Sequence, residues 1–250
     1  VRAGQTVAVL EAMKMEHTVQ TVAAGRVVAL RAQAGDQVLE AQPLVVIEAA
    51  GVDQAGEAAE RAGDPRAIRP DLQRLIERHA LTLDAARPEA VARRHAKGLR
   101  TARENIADLC DPDSFVEYGA LTVAAQTRRR TLEDLAANTP GDGMVTGIGS
   151  VNRERFGAER SRCVVMAYDF TVLAGTQGFR NHAKTDRMLE LAARQRLPVV
   201  LFGEGGGGRP GDVDMPVVAG LDLSTFGAFA ALSGQVPVVA IVAGRCFAGN

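Results

Sequence analysis

Residues 3–12, AGQTVAVLEA, and residues 40–49, EAQPLVVIEA, are two copies of one pattern. Laid over each other at an offset of 37 residues, they match Gln5 to Gln42, Val9 to Val46, Glu11 to Glu48 and Ala12 to Ala49, and their apolar positions coincide. Similarity at a fixed spacing marks a duplicated structural unit. The short apolar runs TVAVLEA, GRVVALRA and PLVVIEA, broken by Gly and small polar residues, read as strands of an all-β unit. The segment MKMEH, 13–17, then joins two similar β halves and puts Lys14 at or near a hairpin tip, outside both sheets. A further stretch, 21–39, precedes the second copy without a counterpart before Val1, so the first half is expected to lack its opening strand.

The composition excludes several classes of function. With 46% hydrophobic residues, 24% charged residues and a formal net charge of −1 over 250 residues, the chain is that of a folded protein of one or two domains. So small a net charge gives no overall pull towards nucleic acid or an anionic membrane, so an anionic ligand needs a local site. Aromatic residues make up 4% and Trp is absent, which leaves no stacking platform for single strands. Cys110, Cys163 and Cys246 are odd in number and far apart, which fits neither a disulfide framework nor a zinc ribbon. They point to a reducing, cytoplasmic compartment, and no metal site is expected in the chain. No apolar run approaches the roughly 20 residues of a spanning helix.

Residues 50–70 lose all periodicity and are rich in Ala, Gly and charge, the composition of a flexible linker. A coil of about 20 residues spans about 25 Å r.m.s.. A helical connector follows over 71–89, with Leu72, Leu75 and Ile76 on one face. PEAVARRHAKGLRTARENIADLC, 88–110, continues the helical pattern, with Pro88 at a first helical position. Beyond it, strands near 142–151, 163–174, 197–202 and 236–244 alternate with helices near 181–196 and 224–234, which predicts a parallel α/β core over 90–250.

GEGGGGRPGD, 203–212, follows one of those strands directly. Gly203, Gly205 and Gly208 satisfy GxGxxG in form, yet the next residues, Arg209-Pro210-Gly211, do not open a helix, and no Gly-Lys-Ser/Thr follows for a phosphate loop. A flexible turn is one reading. The other is a close approach of backbone to a ligand, since four successive glycines cost folding entropy, and N–H groups there could hold a developing oxyanion.

Two resemblances bear on these segments. EAMKMEH, 11–17, resembles the biotin attachment motif of biotin carboxyl carrier domains, a family with a duplicated flattened β-barrel of the biotinyl or hammerhead type. By this resemblance Lys14 carries biotin as an amide, Met13 and Met15 are the flanking residues read by biotin ligase, and methionine on both sides favours biotin over a lipoyl group. Residues 168–209 resemble the N-terminal half of the acyl-CoA carboxyltransferase domain, a crotonase-like fold (the ClpP/crotonase type). That family has Asp-Phe-Thr, a Gly-rich turn, a His and a Lys on the next helix, and an apolar strand ending in Ser-Gly-Gly-Ala-Arg. Here the last motif reads Gly205 to Gly208 and Arg209, with Gly in place of Ser and Ala. TARENIADLCDPDSFVEYG, 101–119, resembles that domain's leading helix and Asp-Pro turn, so the likeness covers 90–250.

The resemblance implies a fragment of a biotin-dependent acyl-CoA carboxylase, with an incomplete carrier (1–49) and the N-terminal part of the carboxyltransferase domain on one polypeptide. Carboxybiotin on Lys14 supplies the carboxyl group, the thioester enolate of an acyl-CoA receives it, and amides of Gly206 and Gly207 hold the enolate or thioester oxygen. The implied partners are biotin ligase, a biotin carboxylase domain, the C-terminal half of the carboxyltransferase and further copies in a homo-oligomer. ATP, bicarbonate and a metal belong to that biotin carboxylase domain, outside this chain. A decarboxylase of a malonyl-type CoA and a non-catalytic carrier or docking module remain as alternatives. His182 and Lys184 are expected on a helix surface or in its polar contacts, with a role near the CoA phosphates as a lesser reading. Arg128 to Arg130 read as a solvated face that could border the acyl-CoA groove. AGRCFAGN, 243–250, resembles the family's second Gly-rich turn, but Gly249 is assigned no catalytic role, and Cys246 reads as a small buried apolar residue.

Overall fold

The computed structural model describes residues 1–12, 15–49, 67–214 and 224–249. It divides into two units, Val1–Ala67 and Ile68–Asn250. The linker residues 50–66 lie outside the described residues.

In the first unit, strand β1 (Thr6–Ala12) pairs antiparallel with β2 (Met15–Gln20), and β3 (Gly25–Leu30) with β4 (Val45–Ala49). The repeated segments thus become β1 and β4. The two hairpins are joined by a reciprocal pair of hydrogen bonds rather than by a deep core: Gly25 N–H donates to the Val1 carbonyl at 2.9 Å, and the Val1 ammonium donates to the Gly25 carbonyl at 2.7 Å.

The second unit opens with α1 (Pro70–Ala80), whose Leu72, Leu75 and Ile76 are all exposed, and α2 (Pro88–His95). The single helical stretch expected over 88–110 is two helices, because α2 ends and α3 (Ala102–Leu109) starts afresh. Leu99 N–H reaches the Arg94 carbonyl at 3.1 Å and Gly98 N–H the His95 carbonyl at 2.9 Å, with Gly98 left-handed at φ +66°. This is a Schellman stop, which needs a residue free of the Cβ clash. Thr101 then caps α3, accepting from Glu104 N–H at 3.1 Å while the Glu104 carboxylate accepts from Thr101 N–H at 2.8 Å. The two reciprocal bonds form a capping box.

Five strands form one sheet in the order β5 (Val116–Tyr118), β6 (Met144–Ser150), β7 (Arg162–Tyr168), β8 (Val199–Gly205) and β9 (Val238–Cys246). The sheet is mixed. β7, β8 and β9 run parallel, as expected, but β5, β6 and β7 are antiparallel. The reason is the connection between β6 and β7. Helix α5 (Arg153–Arg160) has 8 residues and a break at Gly157. It spans about 12 Å, whereas a crossover must retrace a strand of about 23 Å.

β7 is buried on both faces, which explains why CVVMAY has no polar alternation. Val164, Met166 and Tyr168 pack with Met188, Leu189 and Ala192 of α6 (Phe179–Gln195) and with Leu232 of α7 (Ser224–Leu232). Cys163, Val165 and Ala167 face the other way, onto Ala102 and Ile106 of α3. A strand period of two assigns alternate residues to opposite layers, and helix α4 (Leu132–Asn138) adds Leu135 to a third cluster. No helix among the described residues is long and apolar enough to cross a membrane.

Candidate functional site

Strand β8 carries its chain into the tetraglycine turn, and each side of that turn is fixed by a different contact. Glu204, the residue before it, is buried and takes a two-point ion pair from Arg94 of α2, with Nη1 donating to Oε1 at 2.8 Å and Nη2 to Oε2 at 2.7 Å. Arg94 also donates from Nε and Nη2 to the Arg100 carbonyl, at 2.8 and 2.6 Å, so it ties the stop of α2 to the end of β8. Its guanidinium stacks over Phe170 at 5.7 Å. Gly205 accepts from Phe247 N–H at 3.0 Å, Gly206 N–H donates to the Ala174 carbonyl at 3.1 Å, and the Gly207 carbonyl accepts from Gln177 N–H at 2.8 Å. Gly207 sits at φ +81°, where a Cβ would also lie 3.1 Å from that of Ala248.

On the far side, Arg209 is fully engaged. Its Nη2 donates to the Thr176 carbonyl at 2.7 Å and its Nε to the Thr176 hydroxyl at 3.1 Å, while Nη1 pairs with the carboxylates of Asp142 and Asp212. These two acids accept from the start of α6: Asp142 from Asn181 N–H at 2.7 Å and Asp212 from Phe179 N–H at 2.8 Å, which satisfies donors that every helix start leaves open. Lys184, one turn on, is buried and donates to the Gly141 carbonyl at 2.9 Å and to the Met144 carbonyl. Burial pushes its ammonium down to about 8, partly offset by the nearby carboxylates of Glu117 and Asp142. Burial likewise pushes the Asp142 carboxyl up, against the pull of Arg209. Arg209 is thus paired with two carboxylates, and Lys184 lies near those of Glu117 and Asp142, as interior charge requires.

His182 and Lys184 both make polar contacts, but neither lies on a helix surface, because the buried face of α6 includes them. His182 Nδ1 lies 2.9 Å from the Thr225 hydroxyl, which itself donates to Asp186, so Nδ1 carries the proton. Burial lowers the His182 pKa, which keeps the ring neutral near pH 7. Arg128 and Arg129 are exposed and Arg130 pairs with Asp134, the solvated face expected of the run. Asp169 to Thr171 leave the sheet instead of extending it: Asp169 accepts from Thr171 N–H at 2.9 Å and from Arg87 at 2.9 Å. Cys246 is exposed, not buried, because β9 is an edge strand.

A cavity of 520 Å³ opens beside Glu204, lined by Arg93, Lys97, Phe170, Thr171 and Arg245 among others. Arg93, Lys97 and Arg245 give its wall a positive charge, which favours anionic over cationic groups. Sequence reading missed it, although RRHAK over 93–97 was a signal, because Arg245 joins only through the β8 to β9 pairing. In the first unit Ala12 and Met15 are directly paired. Met15 is exposed, at 61%. Met13 and Lys14, between them, lie outside the described residues. No cluster of three or more His, Cys, Asp or Glu side chains able to hold a metal occurs among the described residues.

Residues 93–250 match the family model described as carboxyl transferase domain, and residues 1–47 match the one described as biotin-requiring enzyme. A propionyl-CoA carboxylase beta chain of Saccharopolyspora erythraea is 34% identical over 77% of this chain and 34% of its own length. A solved single-chain, multi-domain long-chain acyl-CoA carboxylase is 54% identical with a TM-score of 0.69, over 100% of this chain and 23% of that one. Transcarboxylase 12S, solved as a hexamer, is 31% identical with a TM-score of 0.58, over 73% of this chain and 34% of that one. The chain thus spans about a third of the length of the curated relatives it matches.

Proposed function

The chain belongs to the carboxyl transferase domain family, and from that premise we propose that it carries biotin on Lys14 and transfers a carboxyl group to the α-carbon of an acyl-CoA. The observation that carries this reading is the presence, on one polypeptide, of a biotin-requiring match over 1–47 and a carboxyl transferase match over 93–250. Bound biotin supplies the transferable carboxyl group. The pairing of Ala12 with Met15 fits such an attachment, because it leaves two residues, Met13 and Lys14, to connect the hairpin.

The chain's own part in the chemistry is electrostatic. An enolate would form at the thioester when the α-proton passes to a base that bound biotin would supply, and its oxygen needs donors already in place. The reading assigns this to the N–H groups of Gly206 and Gly207, of which Gly206 must exchange its 3.1 Å bond to the Ala174 carbonyl for the substrate oxygen. Glycines there admit a bulky thioester without a side-chain clash. The cationic cavity beside Glu204 receives the phosphates of CoA. The remaining partners are a biotin carboxylase domain that charges the biotin, the C-terminal half of the carboxyltransferase, biotin ligase, and further copies in a homo-oligomer. The free cysteines support a reducing, cytoplasmic site of action.

The test is ATP-dependent incorporation of labelled bicarbonate into acyl-CoA by the full-length protein, beside Lys14→Arg. The expected result is incorporation by the wild type, none by the variant, and a tryptic peptide from Ala3 to Arg26, uncut at Lys14, bearing a biotinyl mass. An unmodified, freely cleaved Lys14 in a host with active biotin ligase would overturn the proposal. Loss of CO2 from a malonyl-type CoA without incorporation would assign the reverse direction.

A further inference from the structure

We propose that Gln177 is a positioning residue for carboxyl transfer, holding the tetraglycine turn and the second glycine turn, 247–249, at a fixed spacing. This rests on the reading that the tetraglycine turn holds the substrate oxygen. Gln177 lies in the loop between β7 and α6, and only 8% of it is exposed. Its backbone forms an isolated parallel bridge with Gly208: its N–H donates to the Gly207 carbonyl and its carbonyl accepts from Arg209 N–H, both at 2.8 Å. Its side-chain amide faces the other way. Nε2 donates to the Tyr168 hydroxyl at 2.8 Å and to the Gly249 carbonyl at 2.7 Å, so both N–H groups of the amide are used.

One residue thereby grips the first turn by its backbone and the second by its side chain. The turns need such a grip because their sequences supply little stiffness of their own. They also touch: a Cβ at Gly207 would lie 3.1 Å from Ala248 Cβ and 3.2 Å from the Phe247 carbonyl. The β8 to β9 pairing reaches the second turn through Phe247 N–H to the Gly205 carbonyl at 3.0 Å, and beyond Phe247 the Gln177 bond to Gly249 takes over. Amides preorganised for charge that develops only in the transition state lose most of their effect when displaced by about 1 Å. A neutral amide suits the task, since a carboxylate at 177 would turn an acceptor towards the Gly249 carbonyl.

Gln177→Met keeps the length and removes the donor; Gln177→Glu keeps the shape and reverses the polarity. In the full-length protein, each is expected to lower kcat for acyl-CoA carboxylation at least tenfold, with KM for acyl-CoA and biotin loading of Lys14 within twofold of wild type, while Tm falls because the Tyr168 hydroxyl and the Gly249 carbonyl lose a buried donor. Independently of activity, hydrogen exchange in peptides covering 246–249 is expected to speed at least tenfold while β7 is unaffected. Two variants are used so that one unstable protein does not remove the test. Either folded variant with kcat and exchange within twofold of wild type would overturn the inference. A wild type without carboxylation would instead overturn the functional reading, and the exchange result would still decide whether Gln177 fastens the turn.

Discussion

Arg94 and Glu204, 110 residues apart in sequence, meet in a two-point ion pair with both side chains less than a tenth exposed. The pair fastens helix α2 to the last residue before the tetraglycine turn. It also dictates its neighbourhood, because a Cβ on Gly244 of β9 would fall 2.0 Å from Glu204 Oε1. Arg94→Met takes this two-point partner away from the buried Glu204 carboxylate. It is expected to cost about 3–5 kcal/mol, the penalty for breaking a buried pair, read by urea unfolding. A loss below about 1 kcal/mol would show that water or another cation replaces Arg94. The double variant Arg94→Met with Glu204→Met is expected to recover much of the loss, since removing both charges removes the desolvation cost.

Lys184 ties stability to pH. Its folded-state pKa of about 8 lies below the unfolded value of about 10.4. Between those values the unfolded chain binds the proton and the folded chain does not, so this group makes stability rise with pH across that window and adds no slope below it. Other groups titrate there, including buried thiols with the opposite sign, so the informative quantity is a difference. Relative to Lys184→Met, the wild type is expected to gain stability between pH 7.5 and pH 9.5 in chemical denaturation. Parallel curves for the two proteins would mean that the amine is protonated throughout.

The cysteines differ in reach. Burial pushes the thiols of Cys110 and Cys163 up to about 11, and both are enclosed, whereas Cys246 is exposed on β9. Thiolate fraction and access together set alkylation rates. Iodoacetamide at pH 8 is expected to label Cys246 alone in the folded chain, more slowly than a free thiol because partial desolvation and the Glu204 charge raise its pKa, and all three after denaturation. Mass mapping of the alkylated peptides reads the result. Labelling at Cys163 under native conditions would mean that β7 opens.

The sequence by itself determined what depends on local pattern. The duplication of 3–12 at 40–49 identified β1 and β4, although residues 15–17, read as a joint outside both sheets, belong to β2; the runs VVMAY and LPVVLF became buried strands because length, branching and flanking turns are local properties. EAMKMEH and the tetraglycine run carried the family resemblance in a few adjacent residues. Strand direction did not follow from order: alternating strands and helices suggested a wholly parallel core, and only the short, broken α5 made β6 run against β7. The break at Gly98 was legible in retrospect, yet the amphipathic pattern on either side concealed it.

Tertiary structure alone decided which distant side chains share a site. Nothing in the sequence pairs Arg94 with Glu204, gathers Asp142 and Asp212 about Arg209, or sends the side chain of Gln177 to Gly249. His182 and Lys184 looked like surface residues because a polar side chain on a helix is usually solvated, and only their packing against α7 and the turn before β6 shows them buried. The physical reason is common to all of these. Hydrophobic period and turn chemistry act over a few residues and are written in each segment, whereas a buried charge or amide is tolerated only where the fold brings a partner.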